Sequence, residues 1–248
     1  MRDLTNLLVH LEPAPVVARV QLTLGALRGR GWAEAEMRAA QFLARAGAPV
    51  VPPASDVDPG PHVHDGLIVT FWRFVDHDPA RADPALAGRS LRELHAAFAA
   101  YEGELPTCDR LDEVRRVLDE LPPTSDLAEL RAFADRLAPL EGRPIHGDAH
   151  LRNILWTPDG PLWSDLENVC RGPREYDLAC IRFRPLPETE DAIAAYGRHD
   201  EAAVGRALVY VTLFLAAATQ LVARRGGEEA RAEAQRRVER ALRYAREM

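Results

Sequence analysis

Lysine is missing from all 248 residues: each of the 31 basic side chains is an arginine. That excludes a mechanism built on an amine nucleophile and a phosphate clamp made by an ammonium group. Cysteine is scarce as well. Cys108, Cys170 and Cys180 are odd in number and far apart, and no signal peptide precedes them. A disulfide framework is therefore not expected, and a reducing, cytoplasmic setting is. Positive charge is in deficit, with a formal net charge of −7 and a pI near 5.7. This excludes a general nucleic-acid binder, which needs a basic face to neutralise phosphates, and better suits a cationic small substrate. Long apolar runs are also wanting. The best, Ala207 to Ala223, contains two threonines and a glutamine and falls short of the roughly 20 residues of a membrane span. It is expected to be a buried helix, with no membrane partner.

What is present is enough apolar material, 47% of the chain, to fill one large domain or two apposed lobes. "NLLVHLEPAPVVARVQL" predicts two strands joined by a proline-stiffened turn. "GWAEAEMRAAQFLARAGAPV" has helical spacing at Met37, Ala40, Phe42 and Leu43 and stops at Gly47 before Pro49. An irregular, proline-rich "PVVPPASDVDPGPHVHDG" follows, then a continuous apolar strand, "LIVTFWRFV". From about residue 76 the pattern turns helical, in "LAGRSLRELHAAFAAYEG", "LDEVRRVLDEL" and "DLAELRAFADRLAPLEG". In "NILWTPDGPLWSDLENV" two apolar runs flank "PDG", a hairpin signal. The tail from about Thr189 is helical and ends in a solvated face rich in arginine and glutamate.

The densest chemistry lies in "RPIHGDAHLRN", residues 143–153. His146, Asp148 and His150 at i, i+2 and i+4 would share one face of a strand, as ligands of a metal-dependent hydrolase do. A second reading uses Asn153, five residues after Asp148, and Asp165, twelve after Asn153 and behind the "PDG" turn. A D-x-x-x-x-N loop, a hairpin and a further aspartate are the parts of a phosphoryl-transfer site. The first aspartate accepts the proton of an attacking hydroxyl, and the asparagine and second carboxylate give Mg²⁺ hard oxygen ligands.

"HGDAHLRNILW" with "WSDLENVCRGPREYDLA" resembles the aminoglycoside phosphotransferase and choline kinase-like family. The resemblance implies an α+β, two-lobed, protein-kinase-like fold with a short β-rich N-terminal lobe over residues 1–75 and a mainly helical C-terminal lobe over residues 76–248. It implies ATP- and Mg²⁺-dependent transfer of the γ-phosphate to a hydroxyl of a small molecule such as an aminoglycoside, an amino alcohol or a sugar. Carried over by position, Asp148 is the catalytic base, Asn153 and Asp165 are metal ligands and Glu167 assists them. His146 and Asp177 brace the catalytic loop.

Upstream, "PVVARV" resembles the strand that carries a phosphate-gripping lysine, with Arg19 at that place and Glu36 as its ion-pair partner. Trp72, Arg73, Phe74 and Val75 resemble the segment whose backbone meets adenine. The chain departs from the family before this point: one strand and no glycine until Gly25 stand where a glycine-containing phosphate loop is expected. "RDLTN" is either the remnant of that loop or part of a truncated lobe. A pseudokinase that binds without transfer is the alternative; the retention of Asp148, Asn153 and Asp165 weighs against it. The sequence sets neither the acceptor nor an oligomeric state.

Overall fold

In the computed structural model, residues 6–184 and 189–247 are described; Arg2–Thr5 of "RDLTN" fall outside them. The expected hairpin forms β1 (Asn6–His10) and β2 (Val16–Gln21), antiparallel from Asn6 opposite Gln21 to His10 opposite Val17. Two helices follow, α1 (Leu24–Arg28) and α2 (Arg30–Arg45). α2 buries a small-residue face of Ala33, Ala39 and Ala40 beside Leu43, which allows close approach to the sheet. Gly47, at φ 69°, ends it as a glycine past a helix terminus does.

The stretch read as irregular contains a strand. β3 (His62–His64) pairs with β4 (Leu67–Arg73) across Asp65 and Gly66, both at positive φ. Asp-Gly is the dipeptide that such a two-residue turn selects. β4 alternates, burying Ile68, Thr70 and Trp72, because only one face of this antiparallel sheet meets the rest of the molecule. The sheet order is β1-β2-β4-β3.

The remainder is mainly helical: α3 (Pro84–Phe98), α4 (Leu111–Asp119), α5 (Ser125–Arg136), α6 (Glu175–Phe183), α7 (Thr189–Tyr196), α8 (Glu201–Ala223) and α9 (Glu228–Glu247). Asp83, Thr124 and Asp200 cap α3, α5 and α8 through side-chain oxygens. Between α5 and α6 lie two short antiparallel pairs, β5 (Arg143–Ile145) with β8 (Cys170–Gly172) and β6 (Ile154–Thr157) with β7 (Gly160–Trp163). The "PDG" hairpin is thus where it was expected.

α8 is 23 residues long, not the shorter span that its apolar run indicated, and passes for a membrane span by length and composition. It packs on α4, α6 and α9 and buries Val204, Val211, Leu213 and Ala217 among them, as a core helix does. All three cysteines are free and buried. Trp163 of β7 exchanges backbone hydrogen bonds with the segment after α2, from Trp163 N to Pro49 O and from Val51 N to Trp163 O, each 2.8 Å. Asp78 N donates to Trp156 O at 2.9 Å. These bonds tie the β-rich lobe to the helical one and set residues 73–76 beside the β6–β7 hairpin, giving the two-lobed α+β arrangement.

Candidate active site

β5 delivers the chain to His146, and Gly147 at φ 80° turns it sharply. Only glycine fits there, since an added Cβ would lie 2.0 Å from Asn168 O. Asp177, buried near the start of α6, accepts from His146 N (2.9 Å) and Gly147 N (2.7 Å), and His95 Nε2 lies 2.8 Å from its Oδ2. Burial by itself would raise this carboxyl, but the hydrogen bond and charge of His95, then His146 and the Gly147 amide, hold it below the usual carboxylate range. His95 continues to the Tyr196 hydroxyl (2.9 Å).

His146 uses both ring nitrogens on the backbone. Nε2 lies 3.0 Å from Ser164 O, and Nδ1 accepts from Asp148 N at 3.3 Å. The hydrolase ligand set is therefore not formed, and among the described residues no group of three His, Cys, Asp or Glu side chains is arranged to hold a metal. His150 is buried, its Nε2 lies 3.7 Å from Asp148 Oδ2, and its Nδ1 has no hydrogen-bond partner. Burial, with Arg184 next in weight, pushes its pKa down to about 2, so the imidazole is neutral.

Asn153 Nδ2 donates to Asp148 O (3.0 Å), and Asn153 O accepts from Ser164 N (2.8 Å) and Ser164 Oγ (3.0 Å). The catalytic loop is thereby locked to the end of β7. Asp165 follows at once in a left-handed conformation (φ 60°, ψ 57°) that bends the chain into a short 3₁₀ turn, Leu166–Asn168. Asn168 Nδ2 reaches back to Asp148 Oδ2 at 3.5 Å. Burial first, opposed by Arg184, His146 and Arg110, raises the Asp148 carboxyl above its ordinary value and makes it a stronger proton acceptor when ionised. Burial and then Glu167 push the Asp165 carboxyl well up.

That last pressure is what a cation would relieve. Asp165, partly exposed, and Glu167, buried, are two neighbouring carboxylates, and Asn153, with its amide nitrogen engaged, has an Oδ1 without a partner among the described residues as a neutral hard oxygen. A set of two carboxylates and one amide fits Mg²⁺, which keeps waters and phosphate oxygens in its shell and needs no all-protein cage.

Above this floor, Arg19 of β2 forms a buried ion pair with Glu36 of α2, and its Nη1 lies 3.4 Å from Asp165 Oδ1. Burial opposes the Arg19 charge, but Glu36 and then Glu167 outweigh it and keep the guanidinium protonated. The guanidinium also sits over the Trp72 ring, 5.2 Å from its centroid. Trp72 is buried and donates to Thr70 Oγ1 (2.9 Å). Arg73, Phe74, Val75 and Asp76 line a cavity of about 340 Å³ with Thr157–Gly160 and Leu162 of the β6–β7 hairpin. Phe74 stacks on His10, with centroids 4.0 Å apart. A larger cavity of about 620 Å³ lies between Trp32 and Arg38 of α2 and residues 102–106, and neither cavity is lined by Asp148, Asn153, Asp165 or Glu167.

Several participants escaped the sequence reading. Arg28 binds Glu113 (2.6 Å) and Asn168 Oδ1 (2.9 Å), Trp32 Nε1 donates to Glu167 O (2.7 Å), and Arg110 Nη2 donates to Asn168 O (2.7 Å). Asn6 Nδ2 donates to Glu167 Oε2 at 2.7 Å. Of these only Asn168 carried a signal, its place in "DLEN"; the others come from segments with no motif of their own.

A buried cation–carboxylate pair close to a loop aspartate, an asparagine and two further acidic residues is an arrangement suited to phosphoryl transfer. A model of the phosphotransferase enzyme family matches residues 28–211, and the chain belongs to that family. The matched stretch holds Glu36, Asp148, Asn153, Asp165, Glu167 and Asp177, and it begins after Arg19. Among solved structures, amicoumacin kinase hAmiN, in complex with AMP-PNP, Ca²⁺ and Ami, has a TM-score of 0.73 at 11% identity, over 97% of this chain and 86% of that one. Choline kinase LicA from Streptococcus pneumoniae gives 0.68 at 14% identity, over 98% and 90%. A choline/ethanolamine kinase family protein from Mesorhizobium loti gives 0.60 at 20%, over 96% and 84%. No curated protein matches the chain by sequence.

Proposed function

We propose that the protein transfers the γ-phosphate of ATP, with Mg²⁺, to a hydroxyl of a small molecule, and that residues 1–75 and 76–248 are its two lobes. The observation that carries this reading is the closeness of Asp148, Asn153, Asp165 and Glu167 to one another and to the Arg19–Glu36 pair, with Asn153 on Asp148 O at 3.0 Å and Arg19 3.4 Å from Asp165. Asp148 takes the proton of the acceptor hydroxyl as that oxygen bonds to the γ-phosphorus and the bond to the bridging oxygen of ADP breaks. Arg19, held by Glu36, faces the phosphates with a planar fork of donors. Mg²⁺, when bound to Asn153, Asp165 and Glu167, neutralises charge on the transferring phosphates. His146, Asp177 and His95 act only on the loop, holding Asp148 in position. The cavity between residues 73–76 and the β6–β7 hairpin takes the base. The acceptor is a cationic amino alcohol, an aminoglycoside or a sugar; the acidic chain and the ligands that the structural relatives are named for support this range.

The test is ATP consumption across panels of those acceptors. Asp148→Asn preserves size and removes the proton acceptor, so turnover on a true substrate should fall about 10²–10⁴-fold with the fold intact. Near-normal turnover in that variant removes Asp148 from the role. Mg²⁺-dependent ATP binding without any transfer would instead favour the pseudokinase.

A further inference from the structure

β1 is the edge strand of the sheet, beside the β2 strand that carries Arg19. In register, Asn6 stands opposite Gln21, Leu8 opposite Arg19 and His10 opposite Val17, and cross-strand partners share a face. Arg19 reaches Glu36 and Asp165 from that face, so Asn6, Leu8 and His10 form a row above the cleft. His10 ends the row at Phe74 and Asn6 ends it at Glu167. Leu8, between them, is 65% exposed.

Residues 1–24 contain no glycine and no lysine, so neither a glycine loop nor an ammonium in this stretch can add phosphate donors to those of Arg19, whereas a polar side chain can. Asn6 is placed for this. Its amide carries two N–H donors; one is spent on Glu167 Oε2 at 2.7 Å, across 161 residues of sequence. Glu167 belongs to the acidic pair next to Arg19, where the phosphates must lie if the phosphotransferase reading holds. We infer that Asn6 is a nucleotide-positioning residue, whose side-chain amide bridges Glu167 and the phosphate chain of the bound nucleotide. The inference rests on that reading and deepens it: the edge strand supplies one neutral donor that addresses phosphate and metal ligand together.

The experiment separates phosphate contact from support of the fold. Affinities for Mg²⁺–AMP-PNP and for adenosine are measured by calorimetry in wild type, Asn6→Ala, Asn6→Asp and Asn6→Gln, with thermal melting of each. Loss of a hydrogen bond to a charged group should weaken AMP-PNP about tenfold or more in Asn6→Ala. Asn6→Asp should be worse, because it sets a third carboxylate beside Asp165 and Glu167. Adenosine should stay within about twofold of wild type throughout, and Asn6→Gln, which keeps both donors, should recover part of the loss. Equal weakening of both ligands, or a fall in melting temperature that accounts for the loss, makes Asn6 a merely structural residue and overturns the inference. Unchanged AMP-PNP affinity overturns it too while leaving the phosphotransferase reading standing. If wild type binds neither ligand, the reading itself fails and the inference falls with it.

Discussion

At the scale of single residues, Arg19 stands where the resemblance places a phosphate-gripping lysine. Arg19 is buried, paired with Glu36 and within 3.4 Å of Asp165. If the two side chains act as one unit, Arg19→Ala and Glu36→Ala should each weaken ATP binding or transfer. The double variant should then be little worse than the worse single one, with a coupling energy of about 0.5–3 kcal/mol. Arg19→Lys decides whether the fork itself is used, and a fall in activity is the expected outcome. Unchanged affinity and turnover in Arg19→Ala would mean that the phosphates are held elsewhere. Asp148, Asn153, Asp165 and Asp177 were legible because their spacing along the chain is dictated by one loop and one hairpin. Asn6, Arg28 and Arg110 were not, since their contacts cross from 58 to 161 residues and exist only after the lobes have met.

Among elements, the longer helices were easiest to read, because their periodicity and stops are local and Gly47 ends α2, whereas the short α1 and the α6 that carries Asp177 were not expected. β3 was lost because its three residues are exposed and carry no apolar alternation, leaving Asp65-Gly66 as the sole sign. The boundaries of α8 were missed because six polar-flanked residues, Glu201–Arg206, continue the helix beyond its apolar run. Packing between elements is harder still to read. α3 and α7 touch so closely at Gly88 that an added Cβ would lie 2.0 Å from Ala192 O. Gly88→Ala should therefore destabilise by about 1–3 kcal/mol despite the better helix propensity of alanine. For a chain of this size that is a drop in melting temperature of roughly 2–12 °C, seen by differential scanning calorimetry. A stabilised Gly88→Ala protein would show that the two helices can part without cost.

For the molecule as a whole, acid is the informative stress. His150 titrates near 6.5 when unfolded and about 2 when folded, and burial also lowers His146. Between those values the unfolded chain binds protons that these native imidazoles refuse, so their contribution to stability is complete above about pH 6.5 and is lost as pH falls toward 2, against the opposite effect of the raised Asp148 and Asp165 carboxyls. Urea midpoints should drop between pH 7 and pH 5, and less steeply in His150→Asn; equal slopes would mean that the imidazole is not held neutral. The Arg19 guanidinium has one more consequence, for detection. Acyl-phosphate derivatives of ATP mark kinases by transferring their acyl group to the ε-amine beside the phosphates, and this chain has no such amine anywhere. If ATP binds as proposed, proteome surveys with those reagents will pass over this chain even when it carries nucleotide.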